Sequence, residues 1–137
     1  MVFSYPEDWH YEIFLGSVRF QDFGEDNTFL ELTVDDFSEN RTLSNFAASQ
    51  LNTLKEDPWA ENIEVCKTSR AGVPALRTTY KQLDQDADRH GKLDSLALEE
   101  WFEKDGKIYQ LYYEALTQAY PKYLPEVSAV LNSFEKQ

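Results

Sequence analysis

The sequence predicts an α+β fold, with one antiparallel sheet of about six or seven strands sandwiched between helices as an α/β/α stack. Three observations predict it. Extended, alternating runs fall into two groups instead of trading places one by one with helices, an order that favours antiparallel pairing and segregated helices. Two amphipathic helical stripes follow those groups, beginning near Leu43 and Leu124. An Asp105-Gly106 pair joins two long aromatic runs, which is among the strongest short-range hairpin signals.

The elements follow in order. Tyr5 to Trp9 carries a proline and two acids and reads as a turn. Tyr11 to Leu15 is a short apolar strand broken by Gly16. Val18 and Phe20 begin a second strand, and Gly24-Glu25-Asp26-Asn27 is a turn. Thr28 to Val34 alternates Phe29, Glu31 and Thr33 against Leu30, Leu32 and Val34, as a strand with one better-buried face does. Asp35 to Arg41 is a polar connection, and Thr42 can cap the helix that follows. Leu43, Phe46, Ala47, Leu51 and Leu54 recur at helical spacing. Asp57-Pro58 stops that helix, and Trp59 sits in the loop beyond.

Ile63 to Thr68 is the next strand, Ser69-Arg70-Ala71-Gly72 a turn, and Val73 to Leu83 a strand with Leu76, Thr78 and Tyr80 on one face. Asp84 to Lys92 is a charged loop. Leu93 to Glu103 and Lys107 to Ala115 form the hairpin. Leu96, Leu98 and Phe102 face one way on its first strand, Ala97 and Trp101 the other. On the return strand Tyr109, Leu111 and Tyr113 oppose Ile108 and Tyr112. Apolar residues on both faces predict a central position with cover on both sides. Pro121 and Pro125 suit a first helical turn, and Leu124, Val127, Val130, Leu131 and Phe134 keep the stripe of a terminal helix.

Composition narrows the function. At 137 residues the chain suits one domain, 1–137. With 42% hydrophobic residues it can build a real core. A net charge of −12 repels phosphate backbones and anionic lipid, so nucleic acid and membrane surfaces are poor partners. Basic protein patches and divalent cations suit it better. No run approaches the roughly 20 apolar residues of a membrane helix, so no membrane insertion is expected of this chain. The single cysteine, Cys66, excludes an internal disulfide. Its apolar, β-prone neighbours predict a buried, inert thiol. A monomer is expected.

Catalytic signals are few. The histidines are His10 and His90 alone, and no nucleophile elbow, phosphate loop, zinc-protease helix or dinucleotide fingerprint is present. The chain therefore reads as a binding domain without enzymatic activity or cofactor. Two candidate sites remain. The loop from Asp86 to Asp94 imitates a calcium loop, with acids at positions one, three and nine and Gly91 at six. Ala97 stands where such a loop needs a bidentate glutamate. Asp84, Asp86, Asp88 and Asp94 are thus candidates for a weak calcium or other divalent-ion site, against the plainer reading of a solvated acidic loop. Trp59 and Tyr120 stand in loops beside prolines and are candidate anchors for a protein partner.

Four segments, in order along nearly the whole chain, resemble the PsbP-like domain of the Mog1/PsbP fold group, in its generic bacterial form. They are Tyr5-Pro6-Glu7-Asp8-Trp9, Ala71-Gly72-Val73-Pro74-Ala75, the run from Asp105 to Ala115 and the stretch from Tyr123-Leu124-Pro125 to Ser133-Phe134. The resemblance implies an antiparallel sheet between helices and a non-enzymatic role. Members of the family are extrinsic subunits or assembly factors of photosystem II, exported lipoproteins, or modules of larger bacterial proteins. The Mog1 branch binds a nuclear GTPase. For this chain the resemblance implies an accessory or protein-interaction domain, exported to the periplasm, cell surface or thylakoid lumen or appended to a larger protein; the abrupt opening at Met1-Val2-Phe3 reads as a chain trimmed from a longer precursor or larger protein. The alternatives are a photosystem II accessory factor, a small-ligand carrier or a Mog1-like GTPase partner.

Overall fold

A computed structural model describes residues 10–14, 17–21, 28–36, 42–84 and 94–133. The elements are β1 (His10–Phe14), β2 (Ser17–Gln21), β3 (Phe29–Asp36), α1 (Leu43–Glu56), β4 (Ala60–Arg70), β5 (Val73–Gln82), β6 (Ser95–Lys104), β7 (Lys107–Leu116) and α2 (Tyr120–Ser133). The strands form one seven-stranded sheet in the order β1-β2-β3-β7-β6-β5-β4, and every pair is antiparallel. The expected fold class is the observed one. The turns at 5–9 and 24–27, together with Asp86, Asp88, His90 and Phe134, lie outside the described residues.

The alternation of β6 and β7 decides how the helices pack. Leu98 and Phe102 face the same side as Tyr109, Leu111 and Tyr113. On that face they pack with Leu30, Leu32 and the α2 residues Tyr123, Val127, Val130 and Leu131. Trp101 and Ile108 face the other side, where α1 supplies Phe46 and Ala47. Phe46 meets Trp101 edge-on with ring centroids 6.1 Å apart, a favoured aromatic geometry. The hairpin is therefore covered on both faces, which is why its strands carry apolar residues at odd and even positions alike.

Local chemistry fixes the ends. Thr42 caps α1, its Oγ1 accepting from the Asn45 N–H at 3.1 Å, and Asp57 Oδ1 accepts the Trp59 N–H at 2.8 Å just beyond the helix. The turn between β6 and β7 holds Asp105 at φ 54° and Gly106 at φ 75°. Two left-handed residues give a type I′ turn, whose twist matches that of the strands.

Several boundaries differ from expectation. β3 runs on to Asp36, because β7 pairs with it as far as Lys107. β4 spans Ala60–Arg70, longer at both ends than the apolar run Ile63 to Thr68. Arg70 belongs to the strand and is buried, and the turn is the pair Ala71-Gly72, both left-handed. In α2, Tyr123 and not Leu124 takes the buried place. Pro125 lies inside α2. It interrupts only a bond to the Pro121 carbonyl, close to the helix start, where the loss is smallest. Cys66 is exposed, since β4 is an edge strand and the α2 cover does not extend over it.

Gly106 has open space around a would-be Cβ, so its substitution tests backbone conformation alone. Gly106→Ala is expected to lower unfolding free energy by about 1–2 kcal/mol, read as a reduced urea midpoint with unchanged slope.

Candidate interaction site on the α1 face

Strand register lays the side chains of the α1 face out in cross-strand rows. One row runs Arg19, Glu31, Tyr112, Glu99 across β2, β3, β7 and β6. A neighbouring row sets Phe29 opposite Glu114 and Glu114 opposite Ala97. A third sets Thr33 opposite Gln110 and Gln110 opposite Trp101. α1 packs over β4 and β6 and covers the Trp101 end. The β2-β3-β7 half of the face instead holds an open pocket of about 310 Å³, lined by Arg19, Phe29, Glu31, Thr33, Gln110 and Tyr112.

The pocket wall is an ordered stack. Arg19 Nε donates to Glu31 Oε2 at 2.7 Å, and Arg19 Nη2 lies 2.6 Å from the same oxygen. The guanidinium sits over the Phe29 ring, 4.9 Å from its centroid. Phe29 in turn stacks on Tyr112, with centroids 5.4 Å apart at 22°. Cation, aromatic ring and phenol thus form one layered surface on three adjacent strands, with polar ends suited to hydrogen bonding.

Behind Tyr112 lies a network of tyrosines and carboxylates. The Tyr112 hydroxyl donates to Glu114 Oε1 at 3.0 Å, and the Tyr80 hydroxyl lies 3.4 Å from that of Tyr112. Burial pushes the Glu99 carboxyl above its ordinary value; a hydrogen bond from Tyr80 opposes this and the charge of Glu114 adds to it. Glu114 is also raised by burial, against hydrogen bonds from Tyr112 and Ser95. Burial raises the Tyr80 and Tyr112 phenols as well, so both remain neutral donors at physiological pH.

No family model matches the chain, and no curated protein sequence matches it. Its likeness is to solved structures. CyanoP, the cyanobacterial PsbP of Synechocystis, superposes with a TM-score of 0.64 at 17% identity, covering 96% of this chain and 83% of that one. The fold is that of the PsbP-like proteins. LpqN of Mycobacterium tuberculosis, involved in cell envelope biogenesis, gives a TM-score of 0.59 at 13% identity, covering 95% of this chain and 79% of its own. PA94 of Pseudomonas aeruginosa, a protein of unknown function, gives 0.63 at 12%, covering 77% and 70%.

The residues expected to act are placed as follows. Trp59 is 39% exposed at the foot of β4, where its carbonyl accepts the Leu83 N–H at 2.7 Å. Tyr120 is half-buried and stacks on Tyr113 at 4.8 Å, and its carbonyl accepts the Tyr113 hydroxyl at 2.7 Å. Asp94 Oδ1 accepts the Asp84 N–H at 2.6 Å, while its Oδ2 lies 3.7 Å from Lys81 Nζ. Asp84 and Asp94 thus close the base of the loop. Asp86 and Asp88 lie outside the described residues. The Arg19–Phe29–Tyr112 stack and the Glu99–Glu114 network were not singled out from sequence. Acids inside otherwise apolar strands, Glu99 in β6 and Glu114 in β7, were the available signal.

The two raised carboxyls give a pH signature. Their protonated forms are favoured in the folded state, so their contribution is complete below the unfolded glutamate value of about 4.3. It is lost as pH rises through the raised folded values. Relative to a Glu99→Gln, Glu114→Gln double variant, the wild type is expected to lose stability between pH 4 and pH 7. Urea unfolding of both proteins across that range checks this; parallel curves would refute it.

Proposed function

We propose that this chain is a non-catalytic accessory domain that binds a protein partner, and that the open half of the α1 face is where it does so. The observation that carries the reading is the Arg19–Phe29–Tyr112 stack, a layered guanidinium and aromatic surface beside a pocket. Arginine and aromatic side chains are the residues that most often dominate protein interfaces. The carboxylates nearby do not resemble an acid–base pair aimed at a substrate. Tyrosine hydroxyls occupy them: Tyr112 donates to Glu114 within β7, and the Tyr80 bond to Glu99 joins β5 to β6.

The structural neighbours support the same role. CyanoP is a cyanobacterial PsbP and LpqN is involved in cell envelope biogenesis, and an exported accessory domain fits both. The narrower reading, a photosystem II accessory factor, draws on the CyanoP likeness; co-purification with photosynthetic membranes tests it.

The main reading is tested by quantitative capture from the native source. Proteins held by the wild type are expected to be lost with an Arg19→Ala, Phe29→Ala variant and retained by Glu56→Gln, which alters an exposed charge at the end of α1. Equal capture by all three chains would contradict the site. Turnover of chromogenic ester, phosphate or glycoside substrates that disappears in Glu99→Gln would contradict the absence of catalysis.

A further inference from the structure

The far edge of the sheet is a second surface, separate from the α1-face pocket. Among the described residues, β4 pairs with β5 on one side and has no strand on the other. At 11 residues it is the longest strand in the sheet. An edge of this length presents a row of backbone donors and acceptors to any extended segment.

The direction of those groups follows from the hairpin that closes β4. Arg70 and Val73 flank the two-residue Ala71-Gly72 turn and pair with each other, so the backbone groups of Arg70 point toward β5. Counting back by twos, Thr68, Cys66 and Glu64 also point inward. Independently, the Glu64 carbonyl accepts the Thr78 Oγ1 hydrogen from β5 at 2.8 Å. The N–H and C=O groups of Val65, Lys67 and Ser69 therefore face outward.

Natural edge strands are usually blunted. β4 carries exposed charges, Lys67 among them, and a register irregularity between Glu61 and Glu64 with Asn62 at φ 56°. The irregularity interrupts the N-terminal end only. From Glu64 to Arg70 the pairing with β5 is continuous. Along this stretch Val65 is 46% exposed, and Trp59 is exposed at the strand's foot.

We propose that the Glu64–Ser69 edge of β4 accepts an extended segment of a partner protein as an eighth strand, a segment with a basic residue facing Glu64 and an apolar residue beside Val65. Charge complementarity selects this occupant. The chain carries a net charge of −12, and within this edge the exposed acid Glu64 and the exposed Lys67 lie on opposite faces of the sheet, so a basic residue suits the Glu64 face and an apolar one the Val65 and Lys67 face. A second copy fits worse. Glu64 pairs with Thr79 and Lys67 with Leu76, which places Glu64 and Lys67 on opposite faces of the sheet. Symmetric antiparallel pairing joins residues of the same face. It cannot set Lys67 of one copy against Glu64 of the other, and it brings two strongly acidic chains together.

The test uses the whole chain and a synthetic peptide of alternating Lys and Val, with an alternating Glu and Val peptide as its counterpart, in titration calorimetry at low salt. The Lys peptide is expected to bind and to slow amide exchange at Val65, Lys67 and Ser69. Val65→Pro removes one outward donor without breaking a β4–β5 bond, and should weaken binding at least about tenfold. Glu64→Lys, which leaves every backbone group in place, should weaken the Lys peptide and admit the Glu peptide. Binding of the Lys peptide unchanged by both substitutions would overturn the proposal. So would a chain that sediments as a dimer and becomes monomeric in Val65→Pro, because the edge would then belong to a second copy.

Discussion

The rest of this structure depends on one buried ion cluster. Glu100 is fully buried in β6. Its Oε2 accepts from Arg70 Nε at 2.8 Å, and its Oε1 accepts from Arg70 Nη2 at 3.2 Å and from Arg77 Nη2 at 3.1 Å. Arg70 Nη1 also reaches Asn132 Oδ1 in α2 at 2.8 Å. One carboxylate thereby ties β4, β5 and β6 together and, through Arg70, is linked to Asn132 of α2. A fully buried carboxylate without partners would be costly, and two guanidinium groups offset that cost. The arrangement specifies register. A slip of one residue in β5 or β6 would move Arg77 or Glu100 to the opposite face and leave a charge unpaired.

That constraint gives the two faces different roles. The α2 face is closed by Glu100 and its partners at one end and by the apolar cluster of Tyr113, Val127 and Leu131 in the middle. Among the described residues, the α1 face is closed where Phe46 and Ala47 meet Trp101 and Ile108. Over β2, β3 and β7 it turns polar and aromatic with the Arg19–Phe29–Tyr112 stack, and the tyrosine–carboxylate network extends it from β7 to Glu99 of β6 and Tyr80 of β5. Firm packing on one side supports a patterned polar and aromatic surface on the other.

Much of the fold was legible because it rests on short-range patterns. The Asp105-Gly106 turn, the Thr42 cap and the two-sided apolar pattern of β6 and β7 each depend on neighbours a few residues away. The ordered motifs likewise pointed to the PsbP-like architecture. What escaped depends on pairing between distant strands. Arg70 looked like part of a turn because nothing beside it announces that Glu100, 30 residues later, lies across the sheet. Arg19 and Glu31 are ordinary surface charges until β2 and β3 are placed in register. Cys66 looked buried from its neighbours, but an edge strand is half-uncovered whatever its composition. Tyr120 looked like a loop residue until α2 was seen to begin there and set its ring on Tyr113.

A double-mutant cycle at Arg70 and Glu100, followed by chemical unfolding, measures the central constraint most directly. Arg70→Met and Glu100→Leu are each expected to destabilise the fold by about 3–5 kcal/mol, because each leaves a buried charge with too few partners. The double replacement should cost clearly less than the sum, with amide exchange in β4 and α2 rising in the single variants. Small, additive effects within about 0.5 kcal/mol, with exchange in α2 unchanged, would contradict the account.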